Sequence, residues 1–175
     1  MSETVSIRRA RKDDQEALAV FWLRFLEEQS SLDPRFGIAE DALERWMNDF
    51  SHWLDDERRR ILVAERAEAV VGFVTAQRWV PPPIYAETVE VYIDELFVVP
   101  EMRGKGVGER LVDAVRRWAE TLRADRLRMG VLAANGAGRR FWERQQGRPF
   151  SVTYTIELEK GREIGNESKK GRLGF

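Results

Sequence analysis

Two groups of residues in this 175-residue chain have types and positions suited to chemistry. The first is Arg103-Gly104-Lys105-Gly106-Val107-Gly108-Glu109, a basic, glycine-rich stretch. It follows the apolar run Leu96-Phe97-Val98-Val99, which Pro100 stops, and it precedes an amphipathic run. That run carries Leu111, Val112, Val115, Trp118, Ala119 and Leu122 at helical spacing. A strand–loop–helix joint of this kind presents free backbone N–H groups and the positive end of a helix dipole. Glycines let the backbone approach a ligand, and Arg103 and Lys105 add positive charge, so the joint suits a phosphate or pyrophosphate. The second group is the carboxylate pair Asp94-Glu95, just upstream on the same strand. A carboxylate beside a cleft can accept a proton.

Spacing removes two phosphate motifs. A Walker loop needs Ser or Thr after Gly-Lys, and here Gly106 follows Lys105. A dinucleotide fingerprint counted from Gly104 puts Glu109 where its third glycine belongs. What remains is R-x-x-G-x-G at Arg103, Gly106 and Gly108.

The elements that must hold these groups follow from periodicity. A short strand is expected over Val5 to Ala10, with Asp13 or Asp14 capping the next helix. That helix buries Leu18, Phe21, Trp22, Phe25 and Leu26, and a turn follows at 33–37. A second helix places Leu43, Trp46, Met47, Phe50 and Leu54 on one stripe, which reads as core. The charge run at 55–60 reads as a solvated connection. Strands over Ile61 to Glu65 and Val70 to Trp79 form an antiparallel hairpin, ended by three prolines at 81–83. A long strand runs from Glu87 to Val98. Its apolar phase changes midway, because Val89, Val91 and Ile93 share one alternation and Leu96 and Val98 the other. One inserted residue near Asp94-Glu95, a β-bulge, puts all of them on one face. After the central helix come a strand over Leu127 to Val131, a short helix with Phe141 and Trp142, and a closing strand from Phe150 to Leu158. The last stretch, 160–175, reads as an extension outside the core.

Composition narrows the function classes. Hydrophobic residues make up 43% and charged residues 34%, which fits one soluble domain over 1–159 with a sizeable core. A net charge of −1 gives no broad electrostatic case for nucleic acid or a membrane surface as partner. The absence of cysteine excludes disulfides, thiolate metal ligands and a cysteine nucleophile. His52, the single histidine, cannot build a His-rich metal site and reads as a surface residue, so no metal is expected. No secretory leader or membrane-length apolar run is visible, and the expectation is a cytoplasmic protein.

The R-x-x-G-x-G loop after a strand ending in Val-Val-Pro resembles motif A of the GNAT superfamily of acyl-CoA-dependent N-acyltransferases. A second stretch, NGAGRRFWERQQGRPF, is similar to that family's N-x-x-A/G-x-x-F-Y-E-x-x-G-F segment, through Asn135, Gly138, Phe141 and Glu143. Two departures stand out. Trp142 occupies the tyrosine position, and Arg148-Pro149 interrupt the Gly-Phe pair. Over about residues 5 to 158 the resemblance implies an α/β (α+β) fold. Its mixed, mostly antiparallel sheet is flanked by helices and splayed at an acyl-CoA cleft. Acetyl-CoA is then the cosubstrate. Arg103, Gly104, Lys105, Gly106, Val107, Gly108 and Glu109 hold its pyrophosphate. The backbone of Leu96, Phe97 and Val98 holds its pantetheine arm, with Asn135, Phe141 and Trp142 alongside. The implied reaction is direct attack of a primary amine on the thioester. Glu95 is the first candidate to take the amine proton and Asp94 the second, each with an ion pair to an arginine as the alternative reading. The Val98 N–H is the candidate oxyanion donor. Glu87, Glu90 and Asp33 are candidates to attract a cationic acceptor, with plain surface charges as the equal alternative reading. The other functional reading is a non-catalytic acyl-CoA-binding regulatory module, because Trp142 is no proton donor for a thiolate. A homodimer is left open.

Overall fold

The computed structural model describes residues 4–82, 84 and 88–158. Within them a single sheet runs in the order β1-β2-β3-β4-β5, with β1 Ser6–Arg9, β2 Arg59–Arg66, β3 Ala69–Trp79, β4 Glu90–Val98 and β5 Arg126–Met129. The first four strands are antiparallel neighbours and β5 lies parallel to β4. The helices are α1 Gln15–Leu32, α2 Ala42–Asp55, α3 Val107–Thr121 and α4 Gly136–Arg144. The mixed, mostly antiparallel sheet flanked by helices is the architecture expected.

Alternation of side chains gives the sheet two apolar faces. On one, Leu62, Ala64, Val74, Ala76, Val91 and Ile93 pack against Val107, Leu111, Val115, Trp118 and Ala119 of α3. The stripe read from the sequence of α3 is therefore its buried face. On the other, Val63, Phe73 and Phe97 pack against Leu18 and Ala19 of α1 and Trp46 and Phe50 of α2. Trp46 stacks on Phe50 at 4.9 Å between ring centroids. Leu43 and Met47 of the expected α2 stripe are exposed, and the buried face of α2 is instead centred on Trp46 and Phe50, with Trp53 and Leu54 packed beside them. His52 lies on the exposed side of α2, as read.

Three local features shape the surroundings of the glycine-rich loop and the carboxylate pair. The β2–β3 hairpin turns through Ala67 and Glu68, both left-handed, a geometry that matches the twist of the strands. Asp14 does not cap α1 with its side chain. Its carboxylate instead accepts from the Arg8 guanidinium at 2.8 and 2.9 Å and from Arg11 N–H at 2.7 Å, tying β1 to the start of α1. The β4 ladder carries the bulge that the phase change called for. Ile93 opposes Ala76 and Glu95 opposes Thr75, so Asp94 is the extra residue. Val91, Ile93, Leu96 and Val98 consequently all face α3.

Two expectations are corrected. Residues 150–158 form no strand. The segment joins no ladder, and its apolar side chains remain in solvent. Its Phe150 ring lies against the guanidinium groups of Arg126 and Arg128 of β5, at 5.6 and 5.1 Å. β5 also ends at Met129, short of Val131. Residues 160–175 and Glu87 lie outside the described residues.

Candidate active site

The parallel ladder between β4 and β5 covers Glu90 to Ile93 against Arg126 to Met129 and goes no further. Beyond it the two chains separate, and a cleft of about 370 Å³ opens. One wall is Asp94, Leu96, Phe97 and Val98 of β4, and the other is Met129, Gly130 and Val131. This is the splay expected of the sheet. The backbone along the cleft is open to a ligand on β4. Val99 N–H donates to Val71 O at 3.0 Å, toward β3. Amides alternate sides along a strand, so the N–H groups of Val98 and Leu96 and the C=O of Leu96 turn to the cleft, while the C=O of Val98 accepts from Arg103 Nε at 2.8 Å.

At one end of the cleft sits the glycine-rich loop. Gly104 and Gly106 have φ of 72° and 77°, a region that only glycine enters at little cost, so the loop can curl tightly into α3. Gly106 is the N-cap of α3, which leaves the first-turn amides of Val107, Gly108 and Glu109 without helical partners. The Val107 side chain is buried in the core, so only its amide can serve a ligand. Gly108 allows a close approach of the Phe141 ring. A Cβ there would stand 3.1 Å from Cε2 of Phe141, the aromatic ring that α4 lays over the loop. Gly104, Gly108, Glu109, Asn135, Phe141 and Trp142 all line the cleft, whereas Lys105, Gly106 and Val107 sit behind it.

Two of the expected cofactor side chains already have protein partners. Arg103 donates from Nε to Val98 O at 2.8 Å and from Nη2 to Glu28 Oε1 of α1 at 2.6 Å. Asn135 caps α4 by accepting from Gly138 N–H at 2.8 Å, which fixes the helix that carries Phe141 and Trp142. Trp142 meets Phe141 edge to face at 5.0 Å and packs on the α3-side core.

The bulge turns the two carboxylates to different surroundings. Asp94 lines the cleft, accepts from Gln77 Nε2 at 2.8 Å and lies 4.0 Å from Arg59. Burial holds its carboxyl above the ordinary range. Glu95 points to the α1 side, where it accepts from the Thr75 hydroxyl and from Trp22 Nε1 at 3.4 Å. It does not line the cleft itself. Burial first, and then the neighbouring Asp94 charge, push the Glu95 carboxyl up to about 7. Neither neighbour of Glu95 was visible as functional in the sequence. Trp22 stands 73 residues away and Thr75 stands 20 away, and each fits its element's core pattern.

The acceptor-side carboxylates fare differently. Glu90 is 2% exposed and paired with Arg126 at 2.7 Å and Arg128 at 3.2 Å. It is a structural ion pair at the base of the β4–β5 ladder and cannot meet a ligand, which corrects the role read for it. Asp33 is tied to Arg35 at 2.6 Å. The carboxylates that line the cleft are Asp94, which accepts from Gln77, and Glu28 of α1, which is paired with Arg103.

With this geometry in place, comparison with known proteins is specific. The family model described as Acetyltransferase (GNAT) family matches residues 21–147. An uncharacterized N-acetyltransferase of Archaeoglobus fulgidus is 30% identical over 142 residues, covering 81% of this chain and 91% of that protein. Among solved structures, a tetramutant of the BH1408 protein from Bacillus halodurans superposes with a TM-score of 0.78 at 20% identity, over 87% of this chain and 99% of that one. The aminoglycoside N-acetyltransferase AAC(6')-Iy in complex with CoA superposes with a TM-score of 0.71 at 18% identity, over 91% of this chain and 97% of that one. At these identities the structural likeness carries the fold alone.

Proposed function

The chain belongs to the acetyltransferase (GNAT) family, and on that premise we propose that it moves an acetyl group from acetyl-CoA to a primary amine by direct attack in a ternary complex. The observation that carries this reading is the splayed β4–β5 cleft, with open strand amides in its wall and a glycine loop at its end. The residues present fit acetyl-CoA. The first-turn amides of α3 suit the pyrophosphate, Arg103 and Lys105 add charge, and the Leu96 and Val98 backbone can pair with the pantetheine amides as an added strand does. Phe141 and Trp142 supply an apolar wall. When bound, the cosubstrate supplies the activated acetyl thioester.

The chain's own residues then perform three tasks. An alkylamine with a pKa near ~10.4 is almost wholly protonated at neutral pH and must lose a proton to attack. Glu95 is poised for that, since a base works best with a pKa close to the operating pH. Asp94, the next residue on the strand, lines the cleft, where its charge favours an ammonium. The Val98 N–H faces the cleft and can donate to the carbonyl oxygen as it becomes an oxyanion. The departing thiolate needs a proton that the Trp142 indole cannot give, because its N–H does not titrate in this range. Tyr92 is the better placed phenol. Its hydroxyl lies 3.0 Å from where a Cβ on the cleft residue Gly130 would be, whereas Tyr154 is 87% exposed.

The test is release of the CoA thiol from acetyl-CoA over a panel of amines, with the acetylated product identified by mass. Amine-dependent release supports the reading. Acetyl-CoA binding with no release for any amine favours the non-catalytic acyl-CoA module, the reading that Trp142 keeps open.

A further inference from the structure

The face of the sheet turned away from α3 carries a row of polar side chains, of which the reaction proposed above uses only Tyr92. Arg59 opposes Gln77, Gln77 opposes Tyr92 and Tyr92 opposes Arg128, so four strands give one residue each to a line across the sheet. All four share one face. Ala76, Val91, Ile93, Leu127 and Met129, their strand neighbours, pack on the α3 side, and alternation sends the row to the other. Arg59 shares that face with Ile61, which α1 and α2 cover. The row lies one step outside this covered part and reaches the cleft at two points. Gln77 donates to Asp94, a cleft residue, and the Tyr92 hydroxyl lies beside Gly130, another.

Arg128 is the member of the row suited to hold an anion. The buried Glu90 carboxylate beside it serves two guanidiniums, Arg126 Nε at 2.7 Å and Arg128 Nη1 at 3.2 Å. One carboxylate against two guanidiniums leaves a positive excess on this part of the face. Glu90 engages one nitrogen of Arg128, and its Nε and Nη2 have no hydrogen-bond partner among the described residues. The ring centroids of Trp79 and Phe150 lie 4.9 and 5.1 Å from its guanidinium carbon. These contacts and the Glu90 bond hold the group in place, so little ordering remains when a ligand arrives. A fixed guanidinium with its side chain 30% exposed and free donors suits a carboxylate. Arg59, at the other end of the row, is committed differently. It lies 4.0 Å from Asp94 and 5.4 Å over the Trp53 ring.

We propose that Arg128 receives a carboxylate of the acceptor, so that the substrate class is a zwitterionic amine of the amino-acid kind. The proposal deepens the acetyl-transfer reading and rests on it for the place of the amine. Asp94 meets Gln77 and Arg59 of the row, so its carboxylate lies on the same face as Arg128. Arg128 opposes Tyr92, and Asp94 is two residues further along β4. With about 3.3 Å per residue and about 4.8 Å between strands, their Cα atoms are roughly 8 Å apart. One small molecule can therefore lay an ammonium at Asp94 and a carboxylate at Arg128. The order of charge along the face, carboxylates at 94 and 95 and then the guanidinium, is the complement of such a molecule. An acceptor with several positive charges and no negative one, a polyamine for example, meets the Arg128 guanidinium with its second ammonium and is disfavoured.

The experiment uses the full chain and a matched panel: free α-amino acids, their carboxamides, which keep the amine and lose the negative charge, and the diamine 1,4-diaminobutane. Calorimetry on the CoA-saturated protein reads binding, and thiol release from acetyl-CoA reads turnover. The expected result is that at least one free amino acid binds roughly 10–100-fold more tightly than its carboxamide, the size of one charge-assisted hydrogen bond, with kcat/KM in the same order. Arg128→Gln leaves Arg126 on Glu90 and should bring the acid-to-carboxamide ratio close to one with acetyl-CoA affinity kept. Arg128→Lys, which keeps the charge without the planar fork, should fall between. Circular dichroism melts establish that the variants are folded, and if neither folds, the wild-type ratio decides alone. A wild type that binds no free amino acid, binds acids and carboxamides equally, or acetylates only the diamine overturns the proposal. So does a ratio that survives Arg128→Gln in folded protein. Tight binding of a free acid without thiol release for any amine overturns acetyl transfer instead, and the carboxylate site at Arg128 stands.

Discussion

Replacing Glu95 by Gln keeps the shape of the side chain and removes its ionisation. Burial and the Asp94 charge carry the Glu95 carboxyl from 4.5 up to about 7, and a displacement of that size corresponds to about 3 kcal/mol. The sign follows from proton binding. Between those two values the folded chain holds a proton that the unfolded chain has released. Stability therefore falls as pH rises through that window, and the whole loss is present above about pH 7. Glu95→Gln has no such proton to lose. Its unfolding free energy should exceed that of the wild type by up to about 3 kcal/mol near pH 8 and match it near pH 4. For a chain of this length that is about 6–10 °C in melting temperature. Thermal and urea unfolding followed by circular dichroism at both pH values reads it directly. The same variant should lose roughly 10²–10⁴ in turnover with acetyl-CoA affinity unchanged, and the defect should shrink at high pH as solvent supplies neutral amine. Equal melting temperatures near pH 8 would refute the reasoning, because Glu95 would then be a solvated carboxylate with no reason to titrate near neutrality.

Gly108→Glu drives a side chain into Phe141 and a negative charge into the first turn of α3, so calorimetry should show strongly weakened CoA binding while circular dichroism stays unchanged. Arg103→Ala removes a charge from the loop and releases Glu28, and the same titration should show a loss of about 1.5–3 kcal/mol in CoA affinity. Trp142→Phe should retain most turnover, Trp142→Ala should weaken cofactor binding through the cavity it leaves, and Tyr92→Phe should lower turnover more than it changes binding. If Trp142→Phe abolishes turnover with acetyl-CoA affinity intact, the packing role is wrong. Asp14→Asn should destabilise the fold by about 1–3 kcal/mol at neutral pH, because Arg8 keeps only Glu65 as an ionised partner and Arg11 N–H loses a charged acceptor. Its Arg8 partner holds the Asp14 carboxyl below 3.8, so the stability gap is full above that value and closes as pH falls through the depressed one, which melts at descending pH would show.

The sequence was most legible where one local pattern had one solution. The α3 stripe, the hairpin, the loop glycines and the β4 bulge all depend on residues within a few positions of one another, and each stands in the structure as read. The bulge was readable because a change of apolar phase in a half-buried strand has a single inexpensive remedy. What was not legible rests on contacts between distant elements. Glu90 looks like a surface carboxylate until β5 brings Arg126 and Arg128 to it. Trp22 and Thr75 look like core filler until the bulge turns Glu95 between them. The alternation at 150–158 read as a closing strand and the structure has none there, because alternation alone does not supply a partner strand and the segment joins no ladder.

The central claim is acetyl transfer to an amine by direct attack, without an acyl-enzyme. Initial velocities measured over a grid of acetyl-CoA and amine concentrations test it, together with the intact mass of the protein after incubation with acetyl-CoA alone. The account predicts intersecting double-reciprocal lines and an unmodified chain. Parallel lines accompanied by an acetylated protein would contradict it.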